Sequence, residues 1–382
     1  FLRHAPRWVA ALLAFAVPVI VAVVIRGRRP LQHVLIGVSI ILGLSVVGVA
    51  VFIGLGIYVP LLGMLAGGIV TLAGLTIVSL IETDRDKRWL HGAFEHYISA
   101  EFINELVNNP EKLDLEGQEQ TLTAMFTDIR SFTRIAEQLQ PTDLVALLNR
   151  YLTVMSDVLL DEGGTIDKYE GDAIIAFFGA PVELADHPRR ACEAALRMKR
   201  AEEALSAAVM RDGLSPQPLY TRIGINTGPM LVGNLGTARR MDYTIMGHEA
   251  NVASRLEGVN KLYGTGILVS EHTHSDSGEG FIFRKLDRVR LAGVQEPVRL
   301  YQLMGYAGEE TPILREALET FEDGLHAYER GDFIYAEARF EQVRKLYPND
   351  GPSMLFEQRC AEYRGTAVSK DGWDGVTSLQ FK

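Results

Sequence analysis

The sequence predicts an α+β fold, a sheet with helices packed on it, set behind a block of membrane-spanning helices. Three observations predict it. Residues 1–81 are almost entirely apolar and rich in glycine. From about residue 120 to 306, short strand patterns alternate with longer amphipathic helices. Beyond 307 the pattern becomes helical and resembles a single tetratricopeptide-like unit.

The apolar block contains three runs, residues 8–25, 31–53 and 58–81. Each approaches or exceeds the roughly 20 residues that cross a bilayer as a helix. A cleaved signal peptide gives one such run, not three. Arg26, Arg28 and Arg29 occupy the first connection, Arg85, Lys87 and Arg88 follow the third run, and residues 54–57 carry no charge. Basic loops stay inside, so the expected protein is a multi-pass inner-membrane protein, in contact with lipid, with everything after residue 81 cytoplasmic. The N-terminus then faces outward, a bias that Arg3 and Arg7 dilute. The chain opens on Phe1 rather than Met, so an upstream portion is expected on the outer side, where a sensor belongs.

Residues 82–108 read as a helix leaving the membrane, with Trp89, Leu90, Phe94, Ile98, Phe102, Ile103 and Leu106 near helical spacing. Such a stripe serves dimer packing or simple attachment to the next domain; Pro110 ends it. The following pattern places a strand at TLTAMFTDI, a helix at 141–161, and two strands in GGTIDKYEGDAIIAFFG around a Glu170-Gly171 turn. A helix at 187–209, strands at YTRIGINTG and DYTIM, and a helix at 248–262 complete the reading. In the tail, Gly331-Asp332 marks an inter-helix turn, and one repeat cannot bury its own face, so a short cap on the preceding domain is expected. The division is therefore 1–81 membrane helices, 82–117 linker, 118–306 the main domain and 307–382 the helical extension.

Composition excludes some functions. A formal net charge of -10 argues against nucleic-acid binding, which needs basic patches. The two cysteines, Cys192 and Cys360, have no metal-ligand spacing and read as reduced thiols.

Two carboxylates stand out. Asp128 ends an otherwise apolar strand, and Asp172 follows a hairpin turn ahead of the apolar AIIAFF. Either alone is an ordinary turn former. In a βαββ unit, however, the first and third strands are neighbours, so both can project from one end of the sheet. Two oxygen donors there would seat a divalent cation and a nucleotide triphosphate.

FTDIRSFT, DKYEGDAIIAFFGAP, RIGINTGPMLVGNLG and DYTIMGHEANVASRLE, in that order, resemble the catalytic domain of class III adenylyl and guanylyl cyclases over roughly residues 118–305. The resemblance implies a ferredoxin-like βαββαβ core working as a homodimer with composite sites. It implies that Asp128 and Asp172 hold two divalent ions, Mg2+ or Mn2+, and that the ribose 3′-hydroxyl of ATP attacks the α-phosphorus to give cyclic AMP and pyrophosphate. It assigns Lys168 and Thr244 to reading adenine, Asn251 to orienting the ribose and Arg255 to stabilising phosphate charge. An ammonium and a hydroxyl suit adenine's edge, and a guanidinium fork suits phosphate. Asn251 and Arg255, four apart, share a helix face. The spans before the domain resemble those of CHASE2-type sensor cyclases.

The sequence also departs from the family. His248 stands where relatives carry Asp, and is expected to cap the following helix. Ser131 replaces a frequent Gly. VRLAGVQEP offers Ala292 and Val294 where relatives often present Lys to the triphosphate, which implies either weaker ATP binding or phosphate contacts from Arg222 or Arg290. A guanylate cyclase, or a catalytically silent module used for dimerisation, are the alternative readings.

Overall fold

The computed structural model describes residues 3–4, 6–25, 30–55, 57–58, 66–78, 117–237, 240–291, 296–365 and 373–379. The expected exit helix at 82–108, the basic connections at 26–29 and 85–88, and Ala292 and Val294 lie outside the described residues. The chain divides into two units, Phe1–Ile103 and Asn104–Lys382.

The first unit contains α1 (Arg7–Ile25), α2 (Pro30–Leu55) and α3 (Ala66–Val78), one in each apolar run. Among the described residues one stretch, Leu35–Gly54, is long and apolar enough to cross a membrane, with a hydropathy of 2.7. Its Leu35, Leu42, Val46 and Ile53 are exposed. The Ser39 hydroxyl donates to the Leu35 carbonyl at 2.8 Å, so its polar group is satisfied within the helix. At Gly37 a Cβ would stand 2.5 Å from Leu72 Cδ1, so a small residue is what lets α2 and α3 approach here. Arg3–His4 pairs in parallel with Ile57–Tyr58, so the chain enters α1 and leaves α2 at the same end.

The second unit is built on one sheet. Its core runs β1 (Gln118–Ile129), α4 (Phe132–Ala136), α5 (Pro141–Asp161), β2 (Thr165–Glu170), β3 (Ala173–Phe178), α6 (His187–Arg211), β4 (Thr221–Thr237). Then follow β5 (Arg240–Met246), α7 (His248–Tyr263), β6 (Ile267–Ser270), α8 (Glu271–Asp276), β7 (Phe281–Arg290) and β8 (Val298–Tyr306). Three helices, α9 (Pro312–Glu329), α10 (Phe333–Leu346) and α11 (Gly351–Gly365), precede the short β9 (Thr377–Ser378). The strand order is β9-β7-β8-β6-β4-β1-β3-β2, with β5 folded back along β4. The segment β4-β1-β3-β2, entered through two helical crossovers, is the expected βαββαβ core, an α+β arrangement.

Strand alternation sorts the two faces. On one face Met125 and Ile129 of β1 meet Leu147, Tyr151, Met155 and Leu159 of α5 and Ala191, Cys192 and Ala195 of α6. The α5 residues recur every four positions, the spacing that puts them on one helix side. On the other face Leu122, Ala124 and Phe177 pack with Ala250 and Ala253 of α7. The remaining side of α7 (Val252, Leu256, Val259, Tyr263) is buried by Phe321, Tyr328, Phe340 and Phe356 of the tail helices. The tail is therefore a cap on α7, and β9 pairs in parallel with β7. Both cysteines are free and buried.

Candidate active site

Alternation puts Asp128 on the α7 face at the end of β1, directly across from Arg222 of β4. Gly224, two residues on, is what allows α7 to lie so close. A Cβ there would fall 2.2 Å from the backbone nitrogen of Glu257. That approach brings Glu257 to Arg222, whose Nε lies 2.9 Å from Glu257 Oε1 but off the hydrogen-bond line. The other arm of Arg222 donates to Asp128.

Asp172 sits in the turn between β2 and β3. Its Oδ2 accepts from the Ile129 backbone N–H at 3.0 Å, pinning the turn to the end of β1. Asp128 and Asp172 thus line one cleft of about 520 Å³, with Arg222, Tyr220, Ser131 and Lys261. Burial, and then the neighbouring Asp128 charge, push the Asp172 carboxyl up to about 6. Burial likewise pushes Glu257 up to about 7, against the pull of Arg222. Two carboxylates this close fit a divalent cation: the Asp128 charge raises the cost of ionising Asp172, and a cation would remove that cost. No group of three or more metal-ligating side chains occurs among the described residues, so further ligands would come from substrate oxygens, backbone carbonyls and water.

Lys168 and Thr244 meet elsewhere, around a residue the sequence reading passed over. The Thr244 hydroxyl donates to Asp167 Oδ2 at 2.5 Å, and Lys168 Nζ lies 3.5 Å from Asp167 Oδ1. β2 carries a register shift between Ile166 and Lys168, so Asp167 is an extra residue against β3. Burial pushes the Asp167 carboxyl up, opposed by Thr244 and Lys168.

Asn251, exposed, and Arg255, half-buried, stand four apart on α7, as their spacing requires. Neither side chain has a hydrogen-bond or ion-pair partner among the described residues, and neither lines the Asp128 cleft. Within one chain the six expected residues therefore fall into separate groups: Asp128 with Asp172, Lys168 with Thr244, and Asn251 with Arg255.

Three details differ from expectation or extend it. Gly247, not His248, is the N-cap of α7; with φ 134° it adopts a backbone shape that histidine would resist, and His248 is the first helical residue. Arg290 is paired with Asp374 at 2.9 Å, whereas Arg222 lines the cleft. Glu257 and Lys261 were missed. They lie four apart on the side of α7 turned toward β4 and the cleft, a placement set by the Gly224 contact rather than by local pattern.

Residues 116–305 match the family described as the adenylate and guanylate cyclase catalytic domain. Adenylate cyclase 1 of Rhizobium meliloti (strain 1021) is 36% identical over 212 residues, 56% of this chain and 32% of that protein. The adenylyl cyclase CyaB from P. aeruginosa, of known structure, is 38% identical, covering 52% of this chain and all of that one, with a TM-score of 0.48. A bacterial light-regulated adenylyl cyclase structure superimposes with a TM-score of 0.51 at 24% identity, over 63% of this chain and 68% of that one. The chain spans between 11% and 42% of the length of the first curated relatives it matches. The matched span takes in β1 through β8, including Asp128, Asp172 and the helix that carries Asn251 and Arg255, and the chain belongs to the class III adenylyl and guanylyl cyclase family.

Proposed function

We propose that the chain is an adenylate cyclase that turns ATP into cyclic AMP and pyrophosphate at composite sites in a homodimer, governed through a membrane anchor. The observation that carries the reading is the Asp128–Asp172 pair at one end of the sheet, in a chain whose base-reading pair is Lys168 and Thr244. Divalent ions bound by that pair, Mg2+ or Mn2+, would neutralise the triphosphate and acidify the ribose 3′-hydroxyl.

Everything else the chain supplies is position and charge, which is what phosphoryl transfer needs. Arg222, which lines the cleft and is paired with Asp128, would be the guanidinium placed to hold phosphate oxygens. Arg255 meets charge growing on the α-phosphate, and Asn251 fixes the ribose so that the 3′-oxygen lies in line with the leaving pyrophosphate. Lys168 donates to adenine N1, and Thr244 accepts from the N6 amine. The separation of these groups within one chain favours a site shared between two subunits, with Lys168, Thr244, Asn251 and Arg255 from one and the aspartates from the other. The three apolar runs, and the entry and exit of α1 and α2 at one end, favour three spans with a cytoplasmic catalytic domain at the inner membrane. A CHASE2-type sensor upstream would then lie outside.

The decisive assay gives the detergent-solubilised full chain ATP or GTP with Mg2+ or Mn2+, beside Asp172→Ala. Cyclic AMP that disappears in the variant supports the proposal. Cyclic GMP would reverse the base assignment, and no product from a folded dimer would favour the silent module. Mixing Asp172→Ala with Arg255→Ala chains tests the shared site. Random pairing leaves one intact site in half of the dimers, so about a quarter of wild-type activity should return. No recovery would place the whole site within one chain.

A further inference from the structure

We infer that Asp167 is the residue that sets the base preference, by fixing Thr244 as a hydrogen-bond acceptor beside Lys168 as a donor. The inference rests on the proposed role of Lys168 and Thr244 and deepens it. A threonine hydroxyl has one hydrogen to give and two lone pairs, and taken alone it reads adenine and guanine equally well. Adenine presents an acceptor at N1 and a donor at N6; guanine presents a donor at N1 and an acceptor at O6. Thr244 discriminates only if something decides which way its hydrogen points.

Asp167 decides it. Its side chain is 3% exposed, and Oδ2 takes the Thr244 hydrogen at 2.5 Å. An ionised carboxylate, as Asp167 is beside the Lys168 ammonium, is an acceptor only, so the hydroxyl is left with lone pairs to offer, the match for N6 and a clash of lone pairs with O6. The other oxygen, Oδ1, is buried, makes no hydrogen bond, and stands 3.5 Å from Lys168 Nζ. It therefore keeps the ammonium, whose side chain is 39% exposed, beside the hydroxyl it must work with. The bulge is what makes this possible: regular alternation would send Asp167 and Lys168 to opposite faces of β2. One carboxylate thus orders both halves of the pattern, acceptor at Thr244 and donor at Lys168, the reverse of what guanine requires. Asp167 touches neither base nor phosphate in this arrangement, and is a positioning residue.

The test is Asp167→Asn in the full chain, which keeps size and shape but offers an amide that can donate to Thr244 and release its hydrogen. ATP and GTP are compared by competition for a bound fluorescent nucleotide, with initial rates measured alongside, so the ratio of dissociation constants is read even without turnover. The preference for ATP over GTP should fall about tenfold or more, through KM rather than kcat. In a Thr244→Val background, where no hydrogen remains to be directed, Asp167→Asn should leave the ratio unchanged. An unaltered ratio in Asp167→Asn, or equal losses for both nucleotides, overturns the inference and makes Asp167 a structural group only. A wild type that binds GTP as well as ATP overturns instead the proposed role of Lys168 and Thr244. Asp167→Ser, which also removes the carboxylate, serves if Asp167→Asn does not fold.

Discussion

Two acidic clusters of the second unit, one buried and one half-buried, are settled in opposite ways. Asp287, on β7, is 1% exposed and fully answered. Arg359 of α11 donates to it at 2.7 Å, the Tyr263 hydroxyl donates to the same oxygen, and the Arg288 N–H donates to the other at 2.7 Å. At the far cluster Asp128 and Glu257 share the guanidinium of Arg222, and among the described residues Asp172 has no ion-pair partner and accepts from the Ile129 N–H. Buried charge that is fully paired binds parts of a fold together; here it ties the helical cap to α7 and β7. Buried charge left short of cations is costly to hold, and persists where a ligand completes it.

Breaking the comparison from the catalytic side gives the largest effect. Asp128→Asn should lower cyclic AMP formation by about 10³-fold, since it removes several kcal/mol of charge stabilisation. The same change should alter metal-free unfolding free energy by less than about 1 kcal/mol, because it also relieves repulsion at Asp172. Denaturant unfolding and initial rates on one preparation would decide it; a protein that loses stability in step with activity would make this cluster structural.

Arg359→Met is the mirror experiment. It strands Asp287 without its cation and should cost about 3–5 kcal/mol, the range for breaking a buried pair. Specific activity of the fraction that remains folded should stay within a few-fold of wild type. If unfolding is unmoved, the pair does not hold the cap in place.

How much of this was legible beforehand follows from the range of the interactions concerned. Asp128 could be found because strand alternation and an apolar run fix its face, and Asp172 because a hairpin turn fixes its end of the sheet. Asn251 and Arg255 were singled out by the resemblance to the cyclase family, and helical spacing added only that they share one face of α7. Asp167 was hidden because a bulge breaks the alternation that would otherwise have placed it opposite Lys168. Glu257 and Lys261 were hidden because the one reaches Arg222 and the other the cleft only through the contact of α7 with Gly224, which joins residues distant in sequence. The tail helices announced themselves by periodicity, but β9, two residues long, has no pattern to announce.

A smaller effect sharpens the contrast by pH. Asp172 titrates near 6 and Glu257 near 7 in the folded chain, both raised first by burial, above an ordinary unfolded range of about 4. The folded state therefore binds more protons than the unfolded one in this window. Through these groups, metal-free stability falls as pH rises from about 4 to 7. Mg2+ competes with those protons, so its addition should raise Tm more at pH 8 than at pH 5.5. Asp128→Asn, with the neighbouring charge gone, should flatten the difference. Equal shifts at both pH values would mean that the ion binds elsewhere.

The smallest predicted effect lies at the rim of the cleft. Ser131 is the one non-glycine residue with positive φ among those described, at 59°, where β1 turns into α4. A Cβ in this left-handed region costs about 1–2 kcal/mol. Ser131→Gly removes that cost but adds freedom to the unfolded chain, returning about 0.5–1 kcal/mol of it. The net gain should be below about 1 kcal/mol, a rise in Tm of a few degrees. Ser131→Ala is the control, since it deletes the hydroxyl and keeps the Cβ. If alanine stabilises as much as glycine, the hydroxyl and not the backbone is the source of strain, and Ser131 belongs with the polar lining of the cleft.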